Sequence, residues 1–168
     1  SNSGKAKNHS EQFYWFIMSI RHQLNAFYAF QKVKEFNLLI EDIDTEKYES
    51  SSITYPTVYI ECEFTKAKIY HLNGQFNEAL ECLDKVLDTG KNIRLDLKIA
   101  ARILFLIIHY ELGNQLYLPY AIQSLYRAIL KTNSSHLAER ELLTFLRQAI
   151  QVKDCLLYTS DAADEAKC

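Results

Sequence analysis

Residues 67–87, AKIYHLNGQFNEALECLDKVL, restrict the chain more than any other stretch, because they read as a helix, a Gly-centred turn and a second helix. Phe76, Ala79, Leu80, Leu83, Val86 and Leu87 recur at intervals of three and four, with Asn77, Glu78, Glu81, Asp84 and Lys85 between them. That pattern is a single apolar stripe along an amphipathic helix. Gly74 is placed to supply the positive φ that ends the first helix, and Gly90, just beyond Leu87, is expected to cap the second in the same way. A hairpin of this size cannot bury its apolar side alone, so neighbours of the same shape are expected against it.

The 168 residues would make one domain, or about four hairpins at ~34 residues each. Four Gly and two Pro leave little room for a turn-rich β fold. The net charge is -2 with Lys and Arg scattered, so the sequence carries no electrostatic footprint for nucleic acid. No stretch approaches the ~18 apolar residues of a membrane span. Cys62 and Cys82 fall one on each helix of the central hairpin, too few for a disulfide framework or a zinc pattern, and read as buried thiols in a reducing, cytoplasmic setting.

Within the central hairpin, Ala67, Tyr70, Gly74, Phe76, Ala79 and Leu83 match in order the small, aromatic, turn, aromatic, small and large positions of the tetratricopeptide repeat, which the stretch resembles. Glu63 stands where that family usually has Trp, Val86 replaces its second small residue, and Lys91 replaces its terminal Pro. The resemblance implies an all-α fold of stacked antiparallel hairpins, an α-solenoid of about seven helices. Residues 101–114 and the helix after them also resemble a segment of uncharacterised bacterial tetratricopeptide-like proteins. Residues 155–165, CLLYTSDAADE, resemble instead the in-frame translation of a transposase adapter used in sequencing libraries. The expected division is therefore a disordered segment at 1–9, a helical repeat domain at 10–153 that is a fragment of a longer array, and a non-native tail at 154–168.

Along the chain, the apolar run 13–20 is expected inside a helix from Ser10 to about Ala26, a better reading than a signal peptide because no cleavage site follows. Phe30, Val33, Phe36, Leu39, Ile40 and Ile43 predict a second helix paired with it. Residues 41–52 turn acidic and then Ser-rich and read as a solvated connection; Asp42, Asp44 and Glu46 imitate a calcium loop, but Lys47 occupies the position that needs Gly. Thr54 is expected to cap the next helix, with Pro56 in its first turn. Another helix starts near Asn92, and its six consecutive apolar residues 103–108 predict enclosure on most sides. Gly113 lies 39 residues after Gly74, so the hairpin repeats, with Pro119 opening its second helix and Ala121, Leu125 and Ala128 along it. Ser134 or Ser135 is expected to cap a last helix striped by Leu137, Leu142, Phe145, Leu146 and Ile150.

No phosphate loop, nucleophile elbow or His-Glu-x-x-His pattern occurs, and no catalytic residue, cofactor or metal site is assigned. His71 and His109 sit at near-equivalent repeat positions, where each would finish a helix near its negative end. Carried over from the family, the concave face would present Glu61, Phe64, Lys68 and His71, with Ile103, Ile107 and Tyr110 from the next hairpin. Members that grip a peptide carboxylate use Lys, Arg and Asn there, and only Lys68 is comparable. The expectation is a non-catalytic protein-interaction scaffold that binds an apolar peptide or partner helix through Glu61, Phe64, Lys68, His71 and Tyr110. The alternative is the sensor or dimerisation part of a longer transcriptional or signalling regulator.

Overall fold

The computed structural model describes residues 2–90, 93–114, 116–130 and 137–148, and the expected tail, the cap at Ser134 or Ser135, and Ile150 lie outside them. The fold is all-α. The helices are α1 (Asn2–Ala29), α2 (Val33–Asp42), α3 (Thr45–Thr54), α4 (Pro56–Leu72), α5 (Phe76–Asp88), α6 (Leu95–Glu111) and α7 (Leu118–Leu130), followed by α8 over 137–148. No strand occurs among the described residues. The chain packs as two compact units, Ser1–Ala101 and Arg102–Cys168, a division that falls within α6 and so within the array expected over 10–153.

In the first unit α4 is the central helix, packed against α1, α3 and α5. Because it has neighbours on several sides it buries Tyr59, Ile60, Cys62, Glu63, Thr65, Ala67 and Ile69, positions that run around the helix and form no single stripe. α5, with one apolar face, buries Ala79, Cys82, Leu83 and Val86, in keeping with the period seen in its sequence. In α1, Ile17, Ile20 and Leu24 point inward at helical spacing, while Trp15 is 68% exposed.

Several connections depart from the sequence reading. Residues 2–9, expected to be disordered, belong to α1, which starts ahead of Ser10 because a helix once nucleated extends cheaply through residues that include no Pro. The supposed solvated connection is α3. Asp44 caps it by accepting from the Lys47 amide at 3.0 Å, and the hydroxyls of Ser50 and Ser51 donate to carbonyls three residues back. Tyr48 anchors α3 to the core at 2% exposure. Thr54 therefore ends α3 and caps nothing; Tyr55 takes the N-cap position of α4, with Pro56 in the first turn as expected. Phe30 stays 73% exposed in the α1–α2 turn, since α2 begins only at Val33.

The turn glycines behave as the hairpin pattern requires. Gly74 has φ +71° and Gly113 φ +77°, and both turns make the same pair of backbone bonds. Gly74 and Gln75 donate to the carbonyls of His71 and Tyr70; Gly113 and Asn114 donate to those of Tyr110 and His109. An added Cβ would meet nothing within 4 Å at Gly74, so Gly74→Ala is expected to cost only the backbone penalty, about 1–2 kcal/mol, in a urea melt. A loss no larger than that of an exposed mid-helix substitution would refute the left-handed assignment.

Gly90 is different. It does not adopt the left-handed region, and α5 instead ends on an extended Thr89. Lys98, almost fully buried, sends its ammonium back to the carbonyls of Leu87, Thr89 and Gly90, so a cation from the first turns of α6 replaces the glycine cap.

In the second unit, none of residues 103–108 is exposed, and Leu118, Ile122, Leu125 and Ile129 form the buried stripe of α7. The expected stripe of α8 shifts: Leu143 and Leu146 are buried, while Leu137 and Phe145 remain 67% and 63% exposed. Leu143 and Leu146 are three residues apart and share one helical face, which sets the inward side.

Candidate functional site

Four of the five predicted groove residues lie on α4 in the first unit, and they divide into two environments. Phe64 and Lys68 are adjacent on the helix surface, one turn apart. Lys68 Nζ stands 3.8 Å from the centroid of the Tyr28 ring on α1 and 5.3 Å from that of Phe64, so the ammonium lies between two aromatic faces. Burial there holds the Lys68 pKa below its ordinary value.

Glu61 belongs to a different arrangement. Its carboxylate pairs with Arg21 of α1 at 3.1 Å and with Arg94 from the segment that enters α6, and Arg94 also bonds Asp96 at 2.9 Å. The arginines join α1 and the α6 entry to α4 through one carboxylate, so Glu61 ties helices together and is not an open groove contact. Arg94 reaches it from a left-handed backbone, φ +46°, rare for a residue with a side chain. His71 closes α4, its ring 6.0 Å from that of Phe76. Tyr110 lies in the second unit, half-buried near the end of α6.

A cavity of about 190 Å³ opens beside the Lys68 cluster, where the end of α1 and the start of α2 meet the end of α4. Phe27, Tyr28, Gln31, Val33, Ile69, Leu72 and Asn73 line it. Tyr28 is shared: its ring faces the Lys68 ammonium and its side chain forms part of the cavity wall. Asn73 Nδ2 is buried without a hydrogen-bond partner. Sequence reasoning missed Tyr28, Gln31 and Asn73, because an α1 ending near Ala26 leaves Tyr28 outside any helix. The signal available was the continuation of Ile17, Ile20 and Leu24 by Phe27 and Tyr28 at the same helical spacing.

The hub carries a second polar cluster. Glu63, fully buried, accepts from Tyr48 Oη at 2.7 Å and from Lys66 Nζ at 2.8 Å. Beside it, Tyr59 Oη and Lys85 Nζ both donate to Glu49 at 2.6 Å. Burial alone would push the Glu49 pKa up, but the bonds from Lys85 and Tyr59 reverse this and hold it below the ordinary value. Likewise burial would pull the Lys66 pKa down, but the charge and hydrogen bond of Glu63, with the nearby Cys82 and Glu49, together reverse this and keep it above the ordinary value. Cys62 and Cys82, both free and buried, have pKa values raised to about 12 by burial first and the nearby Glu63 charge second. These are neutral, unreactive thiols.

Among the described residues no group of three His, Cys, Asp or Glu is placed to hold a metal ion. Asp44, the centre of the calcium-like stretch, is engaged as the α3 cap. His109 lies at the second Gly turn, its Nδ1 2.8 Å from Asn114 Nδ2 and its ring 4.3 Å from that of Phe105. No helix among the described residues is long and apolar enough to cross a membrane. Compared with known proteins, the chain matches no family model, no curated protein and no solved structure.

Proposed function

We propose that this chain is a non-catalytic interaction module of tetratricopeptide type, and that it binds a peptide or partner helix along the α4 surface marked by Phe64, Lys68 and Tyr28. The observation that carries this reading is the ammonium of Lys68 lodged between two aromatic rings on a half-buried surface. Such a place offers apolar contact together with one partly dehydrated cation for a carbonyl or carboxylate. The repeat reading draws support from the two Gly turns, 39 residues apart, which make the same backbone bonds. A cytoplasmic setting fits the two thiols left unpaired.

Selection of random peptides on the immobilised chain tests the reading. Selected peptides should bind with micromolar affinity, and Lys68→Ala with Phe64→Ser should weaken them at least tenfold while the circular-dichroism melt stays close to that of the parent. Selected peptides that bind both chains equally would remove this surface from consideration.

A further inference from the structure

We propose that the cavity between the α1–α2 turn and the end of α4 receives the apolar anchor residue of a peptide lying along α4, a side chain of phenyl or isobutyl size. This assignment rests on the peptide-binding reading above and extends it to a specificity pocket. Continuity supports it first: Tyr28 belongs both to the Lys68 cluster and to the cavity wall, while Ile69 and Leu72 alternate along α4 with Lys68 and His71. A chain following the outer surface of α4 thus passes the cavity within one helical turn.

Size narrows the occupant. A cavity near 150 Å³ with apolar walls accepts benzene, whereas pockets for drug-sized ligands run from about 300 to 1,000 Å³. At about 190 Å³ this one takes a single ring or branched alkyl group and excludes a nucleotide or an extended cofactor. Chemistry narrows it further. Phe27, Val33, Ile69 and Leu72 supply apolar walls, and the lining side chains carry no charge, so a neutral group is favoured over a carboxylate.

The experiment is a titration of the ¹⁵N-labelled full chain with N-acetyl-L-phenylalaninamide, with N-acetyl-L-serinamide as control, followed by two-dimensional NMR. The expected result is saturable shifts at the amides of Val33, Ile69 and Leu72 and at the Asn73 side-chain amide, in the millimolar range, with none from the serine compound. Val33→Phe, which fills the cavity, should abolish them. Leu72→Ala, at a cavity-wall position that is 59% exposed and so not needed by the core, gives a second readout: affinity for the phenylalanine amide should fall about three- to fivefold. Absence of saturable shifts at these residues, or shifts undiminished in Val33→Phe, overturns the assignment. A display-selected peptide that moves Phe64 and Lys68 but not the cavity amides overturns it too, and leaves the groove reading standing. If the amide probe binds but no peptide is selected, the groove reading fails and the cavity becomes a site for a small neutral molecule.

Discussion

Glu63→Ala is expected to lower the unfolding free energy by about 3–5 kcal/mol, measured by urea denaturation at neutral pH. The size follows from what the truncation strands. Tyr48 and Lys66 both donate to Glu63 Oε1 in the centre of the α1–α3–α4–α5 packing, where Tyr48 is 2% exposed and the Lys66 side chain 12%. Removing the carboxylate leaves a buried hydroxyl and a nearly buried cation with no acceptor there, and a void in addition. The matched control is Glu63→Leu, Lys66→Met and Tyr48→Phe together, expected to lie close to the parent because a buried ionic cluster replaced whole by apolar groups is often neutral. If Glu63→Ala costs less than about 1 kcal/mol, the cluster is not holding α3 on α4.

Stability should also fall steeply in alkali, by roughly 3–4 kcal/mol between pH 8 and 10, because Cys62 and Cys82 ionise far more easily unfolded than folded. In the unfolded chain a thiol loses its proton near pH 8.5. In the fold both are held at about 12 by burial and by the Glu63 charge. Between those values the folded state keeps protons that the unfolded state has released, so each rise in pH favours unfolding. The contribution of these groups is intact below about pH 8 and is lost progressively up to about 12. Above pH 10 Tyr48 and Tyr59, also raised by burial and by carboxylate neighbours, add to the slope. Urea melts at pH 8, 9 and 10 of the parent and of the Cys62→Ala, Cys82→Ala variant measure it; equal slopes in the two would show that the thiols are not the titrating groups.

What could be read from the sequence tracks how locally each feature is encoded. The α4–α5 hairpin, Gly74, Gly113 and Pro56 were legible because periodicity, positive φ and a first-turn proline are properties of a few adjacent residues. α3 was not, since its stretch is polar and its one buried aromatic, Tyr48, makes sense only against Glu63, fifteen residues on. Glu63 itself, standing where the repeat pattern expects Trp, read as a departure and proved to be the acceptor at the centre of the hub. Glu61 was chosen for the groove by its place on α4, but Arg21 and Arg94, distant in sequence, engage it. Gly90 looked like a cap by position, and the lysine that displaces it comes from the following helix. The α1–α2 turn was misplaced for a related reason: Gln31 supplies its left-handed residue, φ +54°, where a glycine would have signalled it.

The central place of α4 also sets an order of events during synthesis. Phe36 meets the Tyr70 ring edge to face, Tyr48 bonds Glu63 and Arg21 pairs with Glu61, so each of the three preceding helices finds a partner in a segment made after it. At about 5–20 residues per second, roughly 2–7 s separate Phe36 from Tyr70 on the ribosome. Over that interval α1, α2 and α3 have been made while the helix that carries their main partners has not, and the unit is complete only once α5, which also packs on α4, has followed.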